Sequence, residues 1–144
     1  MGSPLSPVLS EIFMDHFENN LFKSGNKLIK DVFFWYRYVD DIICLYTGSE
    51  RQLDMFLNFL NSFNSAIKFT IGKENNAQIN FLDITITRTK TSLDFKIFRK
   101  PTYTDIVIPA KSNHPNNIKM AAFNSYAHRL LNVPMSVENY NLEV

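Results

Sequence analysis

The chain has 144 residues, a formal net charge of +1, 45% hydrophobic and 20% charged residues, thirteen phenylalanines and four glycines. That length and balance imply one domain with a real core, and they exclude a disordered polyelectrolyte and a whole-chain polycation. One cysteine (Cys44) and three scattered histidines (His16, His114, His128) exclude a disulfide scaffold and a zinc set. Cys44 reads as a small buried hydrophobe in a reducing compartment. No apolar run reaches membrane-spanning length, no signal-peptide pattern opens the sequence, and no membrane partner is expected.

Taken in order, Met1-Gly2-Ser3-Pro4-Leu5-Ser6-Pro7 reads as a loop that ends in a helix start. Ser6 suits the cap and Pro7 the first helical position, where the missing N–H costs nothing. Val8, Leu9, Ile12, Phe13, His16 and Phe17 recur at helical steps and predict an inward face, with His16 packed in it. Glu11, Asp15 and Glu18 fall on the other side, and Gly25-Asn26 ends or follows the helix.

Residues 32–46 are rich in β-branched and aromatic side chains, interrupted by Asp40-Asp41. They predict a hairpin with two carboxylates at its tip. Asp pairs are common turn residues. Flanked by so apolar a wall, adjacent acids also invite a divalent cation, since hard cations prefer carboxylate oxygen.

Ser49 and Gln52 fit a capping box, and residues 50–64 predict a helix packing Leu53, Phe56, Leu57, Leu60 and Phe63 against a sheet. Residues 67–71 alternate as a strand, residues 72–77 as a polar turn, and Ile79–Arg88 as one further strand with Asp83 inside it. A turn over Thr89–Ser92 leads into a hairpin partner bearing Leu93, Phe95 and Ile97. Asp83 is a rim acid or the partner of a base.

Arg99-Lys100-Pro101-Thr102-Tyr103 is a basic exit that proline stops. In Ser112-Asn113-His114-Pro115, Asn113 or His114 suits a cap and Pro115 the first helical position. The next helix carries Ile118, Ala121, Ala122, Ser125 and Tyr126 on a small-residue face and stops at Asn132-Val133-Pro134. Ser136 begins a second helix, so the tail has a helix-turn-helix outline. Residues 88–129 hold eight bases against two acids, a local net of +6, while residues 1–87 are net −3. An acidic front and a basic rear suit a protein that grips a polyanion beside a metal site, or simply a solvated hairpin and helix face.

The order of these parts resembles reverse transcriptases, and the resemblance covers residues 1 to about 134. Gly2-Ser3-Pro4-Leu5-Ser6-Pro7 before a helix resembles the motif bordering incoming nucleotide and template. Tyr38-Val39-Asp40-Asp41 resembles the catalytic hairpin. Ile79-Asn80-Phe81-Leu82-Asp83-Ile84 and Phe98-Arg99-Lys100-Pro101-Thr102 resemble the later palm strands and primer-side hairpin. Phe-Leu-Asp, Arg-Lys-Pro-Thr and Ser-Asn-His-Pro together resemble the Penelope-like branch of retroelements.

The resemblance implies an α+β fold. Residues 1–100 would be a partial polymerase palm, an antiparallel sheet with two packed helices, and 101–144 the start of a thumb or helix-turn-helix-like segment. It implies an RNA-directed DNA polymerase that transfers nucleotidyl groups with two Mg2+ (or Mn2+) ions about 4 Å apart. Asp40 and Asp41 would be the catalytic, metal-holding pair. Gly2, Ser3, Pro4 and Tyr38 would border nucleotide and template, and Arg99 and Lys100 the primer strand. Lys73, with Lys68 as rival, would be the proton donor to pyrophosphate. The partners would be an RNA or DNA template-primer and a deoxynucleoside triphosphate, and the compartment the nucleus.

The family draws another metal-binding aspartate, and its triphosphate-binding bases, from segments preceding the Gly-Ser-Pro-Leu motif, at which this sequence begins. The expectation is an interior piece of a longer reading frame, inactive alone and marginally stable. Two alternatives stand beside it: a nucleic-acid-binding remnant without catalysis, and a degenerate reading frame.

Overall fold

The computed structural model describes residues 4–102, 104 and 106–144. The fold is α+β, and the described residues form two small antiparallel sheets and four α-helices. It divides into two compact units, Met1–Ile71 and Gly72–Val144. Among the described residues, no helix is long and apolar enough to cross a membrane.

The first unit opens with α1 (Ser6–Lys23). Its N-cap is Leu5, without a side-chain cap, so Ser6 is helical rather than the capping residue expected. The buried side chains of α1 are Phe17 and Leu21. Val8, Leu9 and Ile12 are more than half exposed, and His16 lies outside the core, 2.8 Å from the Asn20 amide. Met14, Phe17 and Leu21 reach the core, so of the expected inward stripe only Phe17 is buried and Val8, Leu9, Ile12, Phe13 and His16 are exposed. Gly25 follows in the left-handed region at φ +69°, which glycine reaches without steric cost. Asn26 then caps a 3-10 helix, Lys27–Asp31, absent from the sequence reading.

Strands β1 (Val32–Tyr38) and β2 (Asp41–Tyr46) pair antiparallel, with Tyr38 opposite Asp41. Ser49 and Gln52 form the capping box expected of α2 (Glu50–Phe63), whose Phe56 and Leu60 are buried. Phe17, Leu21, Phe56 and Leu60 make the core of this unit, with Trp35, Tyr46 and Leu53 packed around it. Phe17 meets Phe63 edge-on at 5.4 Å, and Tyr46 stacks on Phe56 at 5.4 Å. Residues 67–71 form no strand. Ile67 and Phe69 still pack on the core, and the Asn61 side chain takes the place of a neighbouring strand for the backbone of Phe69.

The second unit is a three-stranded meander of β3 (Gln78–Phe81), β4 (Ile84–Arg88) and β5 (Leu93–Ile97). The single strand expected over Ile79–Arg88 is a hairpin, because Leu82 takes φ +52° and folds the chain back at Leu82-Asp83. Helix α3 (Asn116–Asn132) has Pro115 as its N-cap residue, one position before its expected place, and buries no residue fully. Of its expected small-residue face, Ala122 and Tyr126 are half-buried, while Ile118, Ala121 and Ser125 are exposed. Helix α4 (Val137–Glu143) is capped by Ser136. It is tied to β5 through Asp94, which accepts from Ser136 Oγ at 3.2 Å and from Asn139 Nδ2 at 2.8 Å.

Candidate functional site

The Asp-Asp hairpin is built by local chemistry. Strand pairing ends at Tyr38 and Asp41, which leaves Val39 and Asp40 as a two-residue turn. Val39 has φ +56°, and Asp40 has no positive φ. Positive φ at the first central residue is a feature of the tight turns whose twist suits an antiparallel pair. A β-branched residue there is disfavoured by about 1–2 kcal/mol. Tyr38 and Val39 are 62% and 65% exposed, and both aspartates lie open at the tip.

Beneath the tip lies an ionic network that the sequence reading missed. Trp35 and Arg37 are two positions apart on β1 and share a face, as strand alternation requires. The Trp35 indole donates to Glu18 Oε1 at 2.8 Å, and Arg37 Nε donates to the same oxygen at 2.9 Å. Arg37 Nη1 and Nη2 each donate at 2.8 Å to the two oxygens of Glu11. Glu11 and Glu18 are seven residues, about two turns, apart on α1 and so share one of its faces. Hydrogen bonding to Arg37 holds the Glu11 carboxyl below its ordinary range, and the two glutamates keep the guanidinium firmly protonated. The signal in the sequence was a lone Arg37 inside an apolar strand; placing Glu11 and Glu18 on a solvated side concealed its partners.

Of the residues singled out by sequence, the hairpin brings together Tyr38, Asp40 and Asp41. Pro4 is exposed just ahead of α1; Gly2 and Ser3 lie outside the described residues. Lys68 is exposed in the first unit and Lys73 in the second. The two aspartates offer the hard oxygen donors that suit magnesium. Among the described residues, no group of three His, Cys, Asp or Glu side chains gathers to hold a metal.

Arg99 and Lys100 belong to the second unit, where with Arg129, Asp83, Thr102 and Thr104 they line an open groove of about 380 Å³. Arg129 Nη2 pairs with Asp83 Oδ2 at 3.0 Å, which makes Asp83 the partner of a base rather than a lone rim acid. Arg99 Nη2 lies 2.5 Å from Glu143 Oε2, an ion-pair contact between the basic exit and α4. No protein-family model, curated protein or solved structure matches the chain.

Proposed function

We propose that the chain is the catalytic-hairpin portion of a reverse transcriptase, an RNA-directed DNA polymerase of the Penelope-like kind. The observation that carries the reading is the tip of β1 and β2: a tight turn that holds two adjacent carboxylates in the open, at the end of a hairpin whose strands are mostly apolar apart from Arg37. Polymer synthesis by nucleotidyl transfer needs carboxylates on a rigid element, because placement within about 0.5 Å matters more than the donors themselves. Asp40 and Asp41 would hold magnesium or manganese. When bound, the ion would supply charge neutralisation at the triphosphate and a lowered pKa for the attacking hydroxyl.

In this reading Tyr38 offers an aromatic face beside the carboxylates, and Gly2, Ser3 and Pro4 border template and nucleotide. Arg99 and Lys100 meet the phosphates of the primer strand. Lys73, or Lys68, gives the proton to pyrophosphate. Copying into chromosomes would place the parent activity in the nucleus. Two carboxylates from one turn hold only one side of a two-ion arrangement, so the 144-residue chain by itself is expected not to extend a primer.

The test is paramagnetic. Added Mn2+ should broaden the amide signals of residues 38–42 first, and Asp40→Asn with Asp41→Asn should abolish this. Uniform broadening over all surface carboxylates would sink the proposal. A second reading, nucleic-acid binding without catalysis, draws on the groove that Arg99, Lys100 and Arg129 share. It expects salt-dependent binding of a template-primer duplex that Arg99→Ala with Lys100→Ala weakens and that Asp40→Asn leaves unchanged.

A further inference from the structure

We propose that Arg37 is a positioning residue: gripped from α1 by Glu11 and Glu18, its guanidinium holds the Val39 carbonyl and so fixes the turn that carries Asp40. The consequence for catalysis rests on the reading of Asp40 given above; the geometry of the clamp does not.

Val39 needs holding. A β-branched residue at φ +56° stays there only when its surroundings over-determine it. Packing does not do this, because Val39 is 65% exposed. What reaches the turn from below is Arg37 Nη1, 3.3 Å from the Val39 carbonyl oxygen. Nε of the fork bonds Glu18, Nη1 and Nη2 bond Glu11, and the side chain is only 8% exposed. A planar guanidinium held at several points is a fixed object, unlike a surface ammonium.

The chain contains its own comparison. Asn76 and Ala77 take φ +50° and +60° in one turn, and Leu82 takes +52° in another. In each, a turn carbonyl accepts a bond from outside the turn: Ala77 from the Arg88 N–H at 2.8 Å, and Asp83 from the Phe98 N–H at 2.8 Å. The Val39 turn receives the same kind of support, but from a side chain. That makes the support removable by substitution and links the hairpin tip to α1, so a shift of α1 moves the turn.

The experiment uses the 144-residue chain labelled for NMR. Three-bond couplings across Val39 φ report the turn, and Mn2+ broadening at residues 38–42 reports the carboxylates. In Arg37→Met the couplings should average over several turn forms, and the Mn2+ needed for half-broadening should rise about tenfold. Arg37→Lys, which lacks the fork, should fall between. Adding Val39→Gly to Arg37→Met should restore one turn form and most of the Mn2+ response, since glycine enters this turn without help; a residue that merely stabilised the fold would show no such rescue. Wild-type couplings in Arg37→Met, or no recovery with Val39→Gly, overturn the proposal. Should Arg37→Met fail to fold, Glu11→Gln decides: its side chain is 65% exposed, so the fold survives, and a partial shift supports the clamp while unchanged couplings overturn it. If the wild-type chain shows no Mn2+ response, the catalytic reading of Asp40 falls and the couplings alone decide the role of Arg37.

Discussion

The side-chain amide of Asn61 grips both backbone polar groups of Phe69, accepting its N–H at 2.7 Å and donating to its carbonyl at 3.1 Å. A residue in the last turn of α2 thereby satisfies an extended segment that has no strand partner among the described residues. Asn61→Ala should expose both groups and cost about 1–3 kcal/mol. Hydrogen exchange at the Phe69 amide should accelerate well beyond that of the β1 and β2 amides. Unchanged protection at Phe69 would show that packing of its ring alone holds the segment.

Gly48 sits between β2 and α2, where an added Cβ would lie 2.6 Å from Tyr46 Cε1 and 3.1 Å from Asp31 Oδ2. The Tyr46 ring cannot swing aside cheaply, because it stacks on the buried Phe56. Gly48→Ala should therefore destabilise the first unit by about 1–3 kcal/mol, the usual cost of overpacking. Urea unfolding followed through signals of residues 4–71 measures it. The same substitution should leave the signals of the second unit, from Gly72 onward, at their wild-type midpoint.

Much of this fold was legible because the informative residues act locally. The Ser49–Gln52 box, the Phe56 and Leu60 stripe and the Ser136 cap each depend on neighbours within a few positions, and each is found where the pattern put it. The failures share another cause. Residues 67–71 alternate like a strand, yet alternation does not supply a partner to pair with. Ile79–Arg88 reads as one run because Leu82 is apolar, and nothing in an apolar residue announces φ +52°. The α1 stripe promises more burial than the first unit provides for Val8, Leu9 and Ile12. For the site, Asp40 and Asp41 were visible as an anomaly within an apolar run. The clamp beneath them was hidden, since Glu11, Glu18 and Arg37 become neighbours only when α1 lies along β1.

Val39→Gly isolates the conformational cost at the tip. It removes the steric penalty of about 1–2 kcal/mol for an L side chain at positive φ. It also frees the unfolded chain, which costs about 0.5–1 kcal/mol. Little packing is lost, because Val39 is mostly exposed. The net expectation is a gain in stability of about 0–1.5 kcal/mol, read as a higher urea midpoint for the first unit. A loss of stability would mean that Val39 sits in this turn without strain.

Acid should weaken the two units through different ion pairs. Hydrogen bonds from Arg37 and Arg88 hold the Glu11 and Glu74 carboxyls below the ordinary glutamate range. A carboxyl depressed in the folded state binds fewer protons there than in the unfolded chain, so its contribution is fully present above the unfolded pKa. It is lost as pH falls from about 4 through the folded value. Glu11→Gln should flatten the acid limb of the first unit's stability curve, and Glu74→Gln that of the second. Salt should separate them: the Arg88 side chain is 65% exposed, whereas that of Arg37 is 8% exposed. At 1 M NaCl, where screening acts within about 3 Å, the effect of Glu74→Gln should vanish and part of that of Glu11→Gln should survive. Equal loss of both effects in salt would mean that the Glu11–Arg37 contact is as open to water as an ordinary surface pair.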